Sequence, residues 1–165
     1  MNHRKAVFFD RDGVLNRRQA IHDYVKNIVE FEWNNGAIDL ICRIRQKGFL
    51  VIVVTNQRGV ALGRYSREFV EMLHRRMNDD LRDWGTEIDA FYVCYHDYGD
   101  NCNCRKPKPG LLIKAQFDHD IDFSESYLIG DSKSDIDAGR EVGCKGVILI
   151  ESDQIEVEKL DKLIV

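Results

Sequence analysis

Ala6-Val7-Phe8-Phe9-Asp10-Arg11-Asp12-Gly13-Val14-Leu15-Asn16 is an apolar run that ends in two carboxylates and a glycine. Four consecutive apolar residues, Ala6 to Phe9, read as a strand buried on both faces, the habit of parallel sheets. Asp10 and Asp12 stand two apart on the backbone that leaves this strand, so both can turn toward one crevice. Like charges so placed repel unless a cation or a phosphoryl group comes between them. Taken alone, the stretch reads equally well as a solvated Asp-Gly turn, and the rest of the chain has to separate the two readings.

Outward from that strand, apolar runs alternate with helix-like stretches to the end of the chain. Arg17 to Asn34 is a long polar and aromatic connection, a length that in a compact domain is often functional. Asn35 or Gly36 opens a helix with Ile38, Ile41 and Ile44 in register, and Gly48 is placed to end it. Phe49 to Val54 is a second strand running into Thr55-Asn56-Gln57-Arg58-Gly59. Ser66 is a candidate N-cap for the longest helix, whose inward stripe is predicted as Phe69, Leu73, Met77, Leu81 and Trp84. Ala90 to Cys94 predicts a third strand, Gly110 to Phe117 a short helix, Tyr127 to Gly130 a fourth strand ending at Asp131, Ser134 to Val142 a helix, and Gly146 to Ile150 a fifth strand. The alternation predicts an α/β fold, a three-layer Rossmann-like arrangement with a parallel sheet and helices on both faces. In such sheets ligands bind at the carboxyl ends of the strands. Every polar cluster of the chain falls at such an end.

The totals set limits. A chain of 165 residues suits one domain spanning 1–165. A net charge of −4 gives no overall attraction to nucleic acid or anionic membrane. No apolar run approaches the roughly 18 residues of a membrane span, and there is no signal-peptide core. The expectation is therefore a reducing, cytoplasmic setting in which five cysteines are thiols or metal ligands rather than disulfides, and the chain is taken as a monomer, although its sequence does not fix the oligomeric state.

Four clusters at strand ends carry the chemistry: Asp10 with Asp12, Thr55-Asn56, Arg105-Lys106-Pro107, and Gly130-Asp131 with Asp135. Phosphoryl transfer to water needs these parts: a carboxylate nucleophile, a second carboxylate as acid and base, oxygen ligands for Mg²⁺, and a hydroxyl and an ammonium for the phosphoryl oxygens. A separate pattern, Cys94-x-His96 followed by Cys102-x-Cys104, supplies three thiolates and an imidazole, a full tetrahedral zinc set. Arg105 and Lys106 follow its last ligand directly, so a zinc ion in loop 94–104 would hold them in place.

The ordered set resembles the haloacid dehalogenase (HAD) superfamily of phosphatases, from Phe8 to about Ile150. The resemblance implies Asp10 as nucleophile and Mg²⁺ ligand, Asp12 as general acid/base with its backbone carbonyl on the metal, Thr55 as the hydroxyl and Lys106 as the cation of the second and third motifs, and Asp131 as a further Mg²⁺ ligand. Asp135 would lie near the metal or serve as an ordinary helix N-terminal carboxylate. No cap insertion is visible, which implies a capless enzyme. The zinc loop, Thr55-Asn56-Gln57 and Cys104-Arg105-Lys106-Pro107 together resemble the D-glycero-D-manno-heptose 1,7-bisphosphate 7-phosphatase group, as do residues 30–37 and 55–64. That resemblance implies a phosphorylated sugar substrate, with Arg105 on its second phosphate, Asn56, Gln57 and Arg58 at the mouth, and Gln19 to Tyr24 as the substrate loop. The substrate loop reads as longer, and the zinc loop as shorter, than is usual in that group. Histidinol-phosphate phosphatases and the 3′-phosphatase module of polynucleotide repair enzymes share parts of the pattern. A zinc-stapled binding module without catalysis is the reading from a different class.

Overall fold

The computed structural model describes residues 3–19, 24–151 and 154–165. Its centre is a five-stranded parallel sheet of β1 (Ala6–Phe9), β2 (Leu50–Asn56), β3 (Ala90–Cys94), β4 (Tyr127–Gly130) and β5 (Gly146–Leu149) in the order β3-β2-β1-β4-β5. All four residues of β1 are fully buried, as an apolar run without alternation demands. Val7 and Phe9 point into one core layer with α1 (Ala37–Gln46), α2 (Arg67–Arg82) and α5 (Val157–Leu163). Ala6 and Phe8 point into the other layer with α3 (Gly110–His119) and α4 (Lys133–Glu141). Truncating one of these fully buried large side chains to alanine costs about 2–5 kcal/mol.

The topology places the site. β1 is the middle strand, and successive connections depart to opposite sides of it, toward β2 and β3 on one hand and β4 and β5 on the other. Phe9 pairs with Val53 and with Ile129, so Asp10, Thr55 and Asp131 all emerge at one edge of the sheet. This is the crevice at which open α/β sheets bind ligands.

Local signals in the sequence explain most boundaries. Ser66 caps α2 by accepting from the Phe69 amide at 3.1 Å. Gly48, at φ 80°, follows the C-cap of α1 in the left-handed conformation that ends many helices. Two details differ from the predicted stripe of α2. The helix stops at Arg82, so Trp84 falls beyond it and is 65% exposed. The buried face is Val70, Leu73, His74, Met77 and Leu81, with Phe69 half-buried beside Tyr65. The long connection contains a single turn of 3-10 helix at Ile28–Glu30, capped by the Asn27 side chain. Within it Trp33 packs against the core and donates to Asp80. Among the described residues, no helix is long and apolar enough to cross a membrane.

Candidate active site

At the carboxyl edge of the sheet lies a cavity of about 330 Å³, lined by Asp10, Asp12, Thr55, Asn56, Lys106 and Asp135 together with Arg18, Gln19, Tyr24, Val25, Arg105, Ser132 and Ser134. Lys106 is 4% exposed, and its ammonium donates to Asp10 Oδ1 at 2.8 Å, to the Val54 carbonyl at 2.6 Å and to Asp135 Oδ1 at 2.6 Å. Asn56 holds the backbone of Lys106 from both sides, donating to its carbonyl and accepting from its amide, each at 3.1 Å. Asp135 combines the two readings its position allows. Its Oδ2 accepts from Asp131 N, Ser132 N and Ser132 Oγ, closing the capping box of α4, while Oδ1 faces Lys106.

Three carboxylates, Asp10, Asp131 and Asp135, bring oxygens within 4.8 Å of one another, against the single buried ammonium of Lys106. Burial, with Asp135 and Asp131 nearby and only partly offset by Lys106, raises the pKa of Asp10 to about 7. Burial likewise raises Asp131 to about 6, against the pull of Arg18. An all-oxygen set with surplus negative charge fits a hard divalent cation such as Mg²⁺. Gly13 completes the cradle. It sits at φ 92°, and a β-carbon there would lie 1.8 Å from Asp131 Oδ2.

Asp12 sits in different surroundings. Its carboxylate accepts from Arg11 Nη2 at 3.0 and 3.1 Å, Asn16 Nδ2 at 3.0 Å and Gln57 Nε2 at 2.7 Å. Although burial opposes ionisation, the Arg11 guanidinium and these hydrogen bonds hold Asp12 below the usual carboxylate range. The two neighbouring carboxyls are thus pushed in opposite directions, the condition that separates acid/base roles.

The expectation that Gln57 lines the mouth needs correcting. Gln57 is fully buried behind Asp12, its amide bridging Asp12 and Thr55 Oγ1 while its carbonyl accepts from Arg11 and Tyr65. Arg58 stands outside the cavity lining, paired with Asp97 and 4.1 Å from the centroid of the Tyr98 ring. Arg105 also lies over that ring, 4.4 Å from its centroid, and its buried Nη1 has no hydrogen-bond partner among the described residues. Such a donor beside a cavity is suited to an arriving anion. Of the expected substrate loop, Gln19 and Tyr24 reach the cavity, and residues 20–23, with His22, lie outside the described residues. Arg18, which no motif singled out, donates to both oxygens of Asp131 at 3.0 and 2.9 Å.

Beyond β3, Cys94, His96, Cys102 and Cys104 bring their ligand atoms within 4.8 Å of one another. The Cys94 Sγ to Cys102 Sγ distance is 3.8 Å and Cys94 Sγ to His96 Nδ1 is 3.6 Å. A zinc tetrahedron with Zn–S of about 2.3 Å has S–S edges of about 3.8 Å, so the spacing fits. Burial and the nearby Cys94 and Cys102 sulfurs push the Cys104 thiol up to about 12, so three thiolates stay together at neutral pH only around a cation.

A parallel sheet with acidic residues leaving its central strand, and a buried lysine braced between two of its carboxylates, defines the class as an HAD-like hydrolase. A family model described as HAD-hydrolase-like matches residues 103–164. The D-glycero-β-D-manno-heptose-1,7-bisphosphate 7-phosphatase of Pasteurella multocida is 36% identical over 155 residues, covering 90% of this chain and 83% of that protein. The corresponding α-heptose enzyme of Mycobacterium tuberculosis is 40% identical over 141 residues, covering 85% and 74%. A crystal structure of D,D-heptose 1,7-bisphosphate phosphatase from B. bronchiseptica, complexed with magnesium and phosphate, matches with a TM-score of 0.85 at 28% identity over 96% of this chain and 99% of that one. The chain belongs to the family of heptose-1,7-bisphosphate 7-phosphatases within the HAD phosphatases.

Proposed function

We propose that this protein is a Mg²⁺-dependent phosphatase that removes the C7 phosphate of D-glycero-D-manno-heptose 1,7-bisphosphate through an aspartyl-phosphate. One observation carries the chemistry: Asp10, Asp12, Thr55 and Lys106 converge on one cavity, with Asp10 and Asp12 in opposed electrostatic settings. The family relatives support the substrate.

Asp10, Asp131 and the backbone carbonyl of Asp12 would hold Mg²⁺, with Asp135 beside them. When bound, the ion offsets the carboxylate charge, keeps Asp10 ionised and lets the phosphate dianion approach. Asp10 attacks phosphorus, and the bond between phosphorus and the C7 oxygen breaks. Asp12 gives its proton to that leaving oxygen. A phosphate dianion beside Asp12 favours the protonated form this step needs. Water then attacks the phosphoryl group on Asp10, and Asp12, now a carboxylate, takes its proton. Inorganic phosphate leaves and Asp10 is restored. Thr55 Oγ1 and Lys106 Nζ bind phosphoryl oxygens as charge develops. The unpartnered Arg105 Nη1 supports contact with the distal phosphate at C1, with Asn56 in the same cavity and Arg58 outside its lining, against Tyr98.

The thiol-rich loop supports a structural zinc on Cys94, His96, Cys102 and Cys104, and so a reducing, cytoplasmic setting. The same reading takes the chain as a single-domain monomer that does not engage nucleic acid, in keeping with its net charge of −4. The test is phosphate release from purified protein with Mg²⁺, with ³¹P NMR to locate the surviving phosphate. Loss of the C7 signal is expected, and Asp10→Asn should abolish it while remaining folded. Wild-type turnover in Asp10→Asn would overturn the mechanism, and intact heptose bisphosphate beside rapid cleavage of histidinol phosphate would overturn the substrate.

A further inference from the structure

Behind Asp12, on the side away from the cavity, Arg11 is 1% exposed, a guanidinium almost wholly withdrawn from water. Nη2 serves Asp12 and Gln57, and Nε lies 3.3 Å from Asp12 Oδ1. The remaining terminal nitrogen, Nη1, lies 3.2 Å from His74 Nε2. A guanidinium only donates, so His74 Nε2 must present its lone pair, and the imidazole is the neutral form protonated at Nδ1. The ring is held by stacking on Phe91, with centroids 4.1 Å apart and planes 12° apart. Helix α2 positions it from below, between Val70 and Met77 on the buried face. Burial and the Arg11 charge lower the His74 pKa to about 3, consistent with a neutral acceptor at working pH.

We infer that His74 is a positioning residue for the reaction: as an acceptor it fixes the rotation of the Arg11 guanidinium, and Arg11 in turn fixes the orientation of the Asp12 carboxylate. This rests on the reading of Asp12 as acid and base. Among the described residues no other acceptor meets Arg11 Nη1. Without His74 a buried charged donor is left unsatisfied, and the plane that pairs with Asp12 loses the contact that holds its Nη1 end. The active-site cavity gives no hint of this, since His74 faces a separate one of about 400 Å³ lined also by Glu71, Arg75, Phe91, Val93 and Tyr95. That second cavity gives small molecules a way to the His74 ring without passing the substrate.

The cavity also supplies the test. His74→Phe keeps the stack on Phe91 but removes the acceptor, and His74→Ala opens space that exogenous imidazole can fill. Steady-state kinetics on heptose 1,7-bisphosphate should show kcat down about 10- to 100-fold in both variants, the scale of one charged hydrogen bond, with KM within about twofold because no substrate contact is lost. Imidazole should restore kcat of His74→Ala saturably. Pyrrole, of the same shape but without an acceptor nitrogen, should not, and neither compound should help His74→Phe. Thermal unfolding shows that each variant is folded at the assay temperature. Wild-type kcat in a folded His74→Phe, or equal rescue by pyrrole, would overturn the inference and reduce His74 to packing. Asp12→Asn, run in parallel, separates the two claims. Full activity there overturns the role of Asp12 and this inference with it, whereas an inactive Asp12→Asn beside a fully active His74→Phe overturns the inference alone.

Discussion

Replacing Asp135 by asparagine changes one atom and should cost more than any surface charge. The side chain is 1% exposed, and all four groups around it donate: Lys106 Nζ to Oδ1, and Asp131 N, Ser132 N and Ser132 Oγ to Oδ2. Asparagine has one acceptor oxygen, so in either orientation its NH₂ faces a donor. The less costly orientation keeps the oxygen on the three capping donors and turns the NH₂ toward the ammonium, which breaks a buried charge pair. That places the loss at about 3–5 kcal/mol. For a chain of this size each kcal/mol is about 2–4 °C, so the melting temperature should fall by roughly 6–20 °C. The assay is denaturant and thermal unfolding with EDTA present, so that metal binding does not enter. Ser132→Ala is the control, removing one hydroxyl donor to the carboxylate at about 1.5–3 kcal/mol. With EDTA replaced by Mg²⁺, calorimetry should also show weaker binding in Asp135→Asn, since one carboxylate of the three-oxygen cluster is neutralised. A loss under about 1 kcal/mol, the scale of an exposed ion pair, would refute the reasoning.

The remaining expectations concern the cradle, the zinc loop and acid stability. Gly13→Ala, with a β-carbon 1.8 Å from Asp131 Oδ2 at φ 92°, should displace Asp131 and cost about 1–3 kcal/mol. Weakened Mg²⁺ affinity by calorimetry checks it, and unchanged affinity would count against Asp131 as a ligand. Cys104→Ser should lower zinc content, measured by elemental analysis, below one ion per chain. Because Arg105 and Lys106 follow directly, kcat/KM should drop by up to about 100-fold, as small misplacements of catalytic groups do. For pH, the folded pKa of His74 is lowered from 6.5 to about 3. Between these values the unfolded chain binds a proton that the folded chain does not, so stability is fully present above pH 6.5 and is lost as pH falls toward 3. The slope is at most about 1.4 kcal/mol per pH unit. Unfolding of wild type against His74→Phe at pH 4 to 7 checks this, and parallel slopes would refute it.

The sequence by itself determined whatever depends on neighbours along the chain. Short apolar runs between turn signals read as strands, β1 and β4 being buried throughout, and β3 and β4 end where those runs end, at Cys94 and Gly130. The C-x-H and C-x-C spacings bring four ligands within reach of one ion because their separations are short. Asp10 and Asp12 were legible because they sit on one turn. Tertiary structure decided what depends on rotation about an axis and on partners far apart in the chain. Trp84 leaves the apolar stripe because α2 stops at Arg82, a stop set by the turn at Gly85 rather than by the hydrophobic period. Gln57 looked like a substrate contact beside Asn56, yet successive residues leaving a strand point to opposite sides, and Gln57 turns inward to Asp12, 45 residues away. His74 reaches Arg11 across 63 residues, and nothing in its neighbours hints at that contact. Asp135 could be a helix cap or part of the ionic cluster, and only folding brings Lys106 to its second oxygen to make it both. The neighbouring carboxylates Asp10 and Asp12 are local facts, while the frame that orients and charges them comes from α2, the turn after β2 and the start of α4, which the sheet brings together.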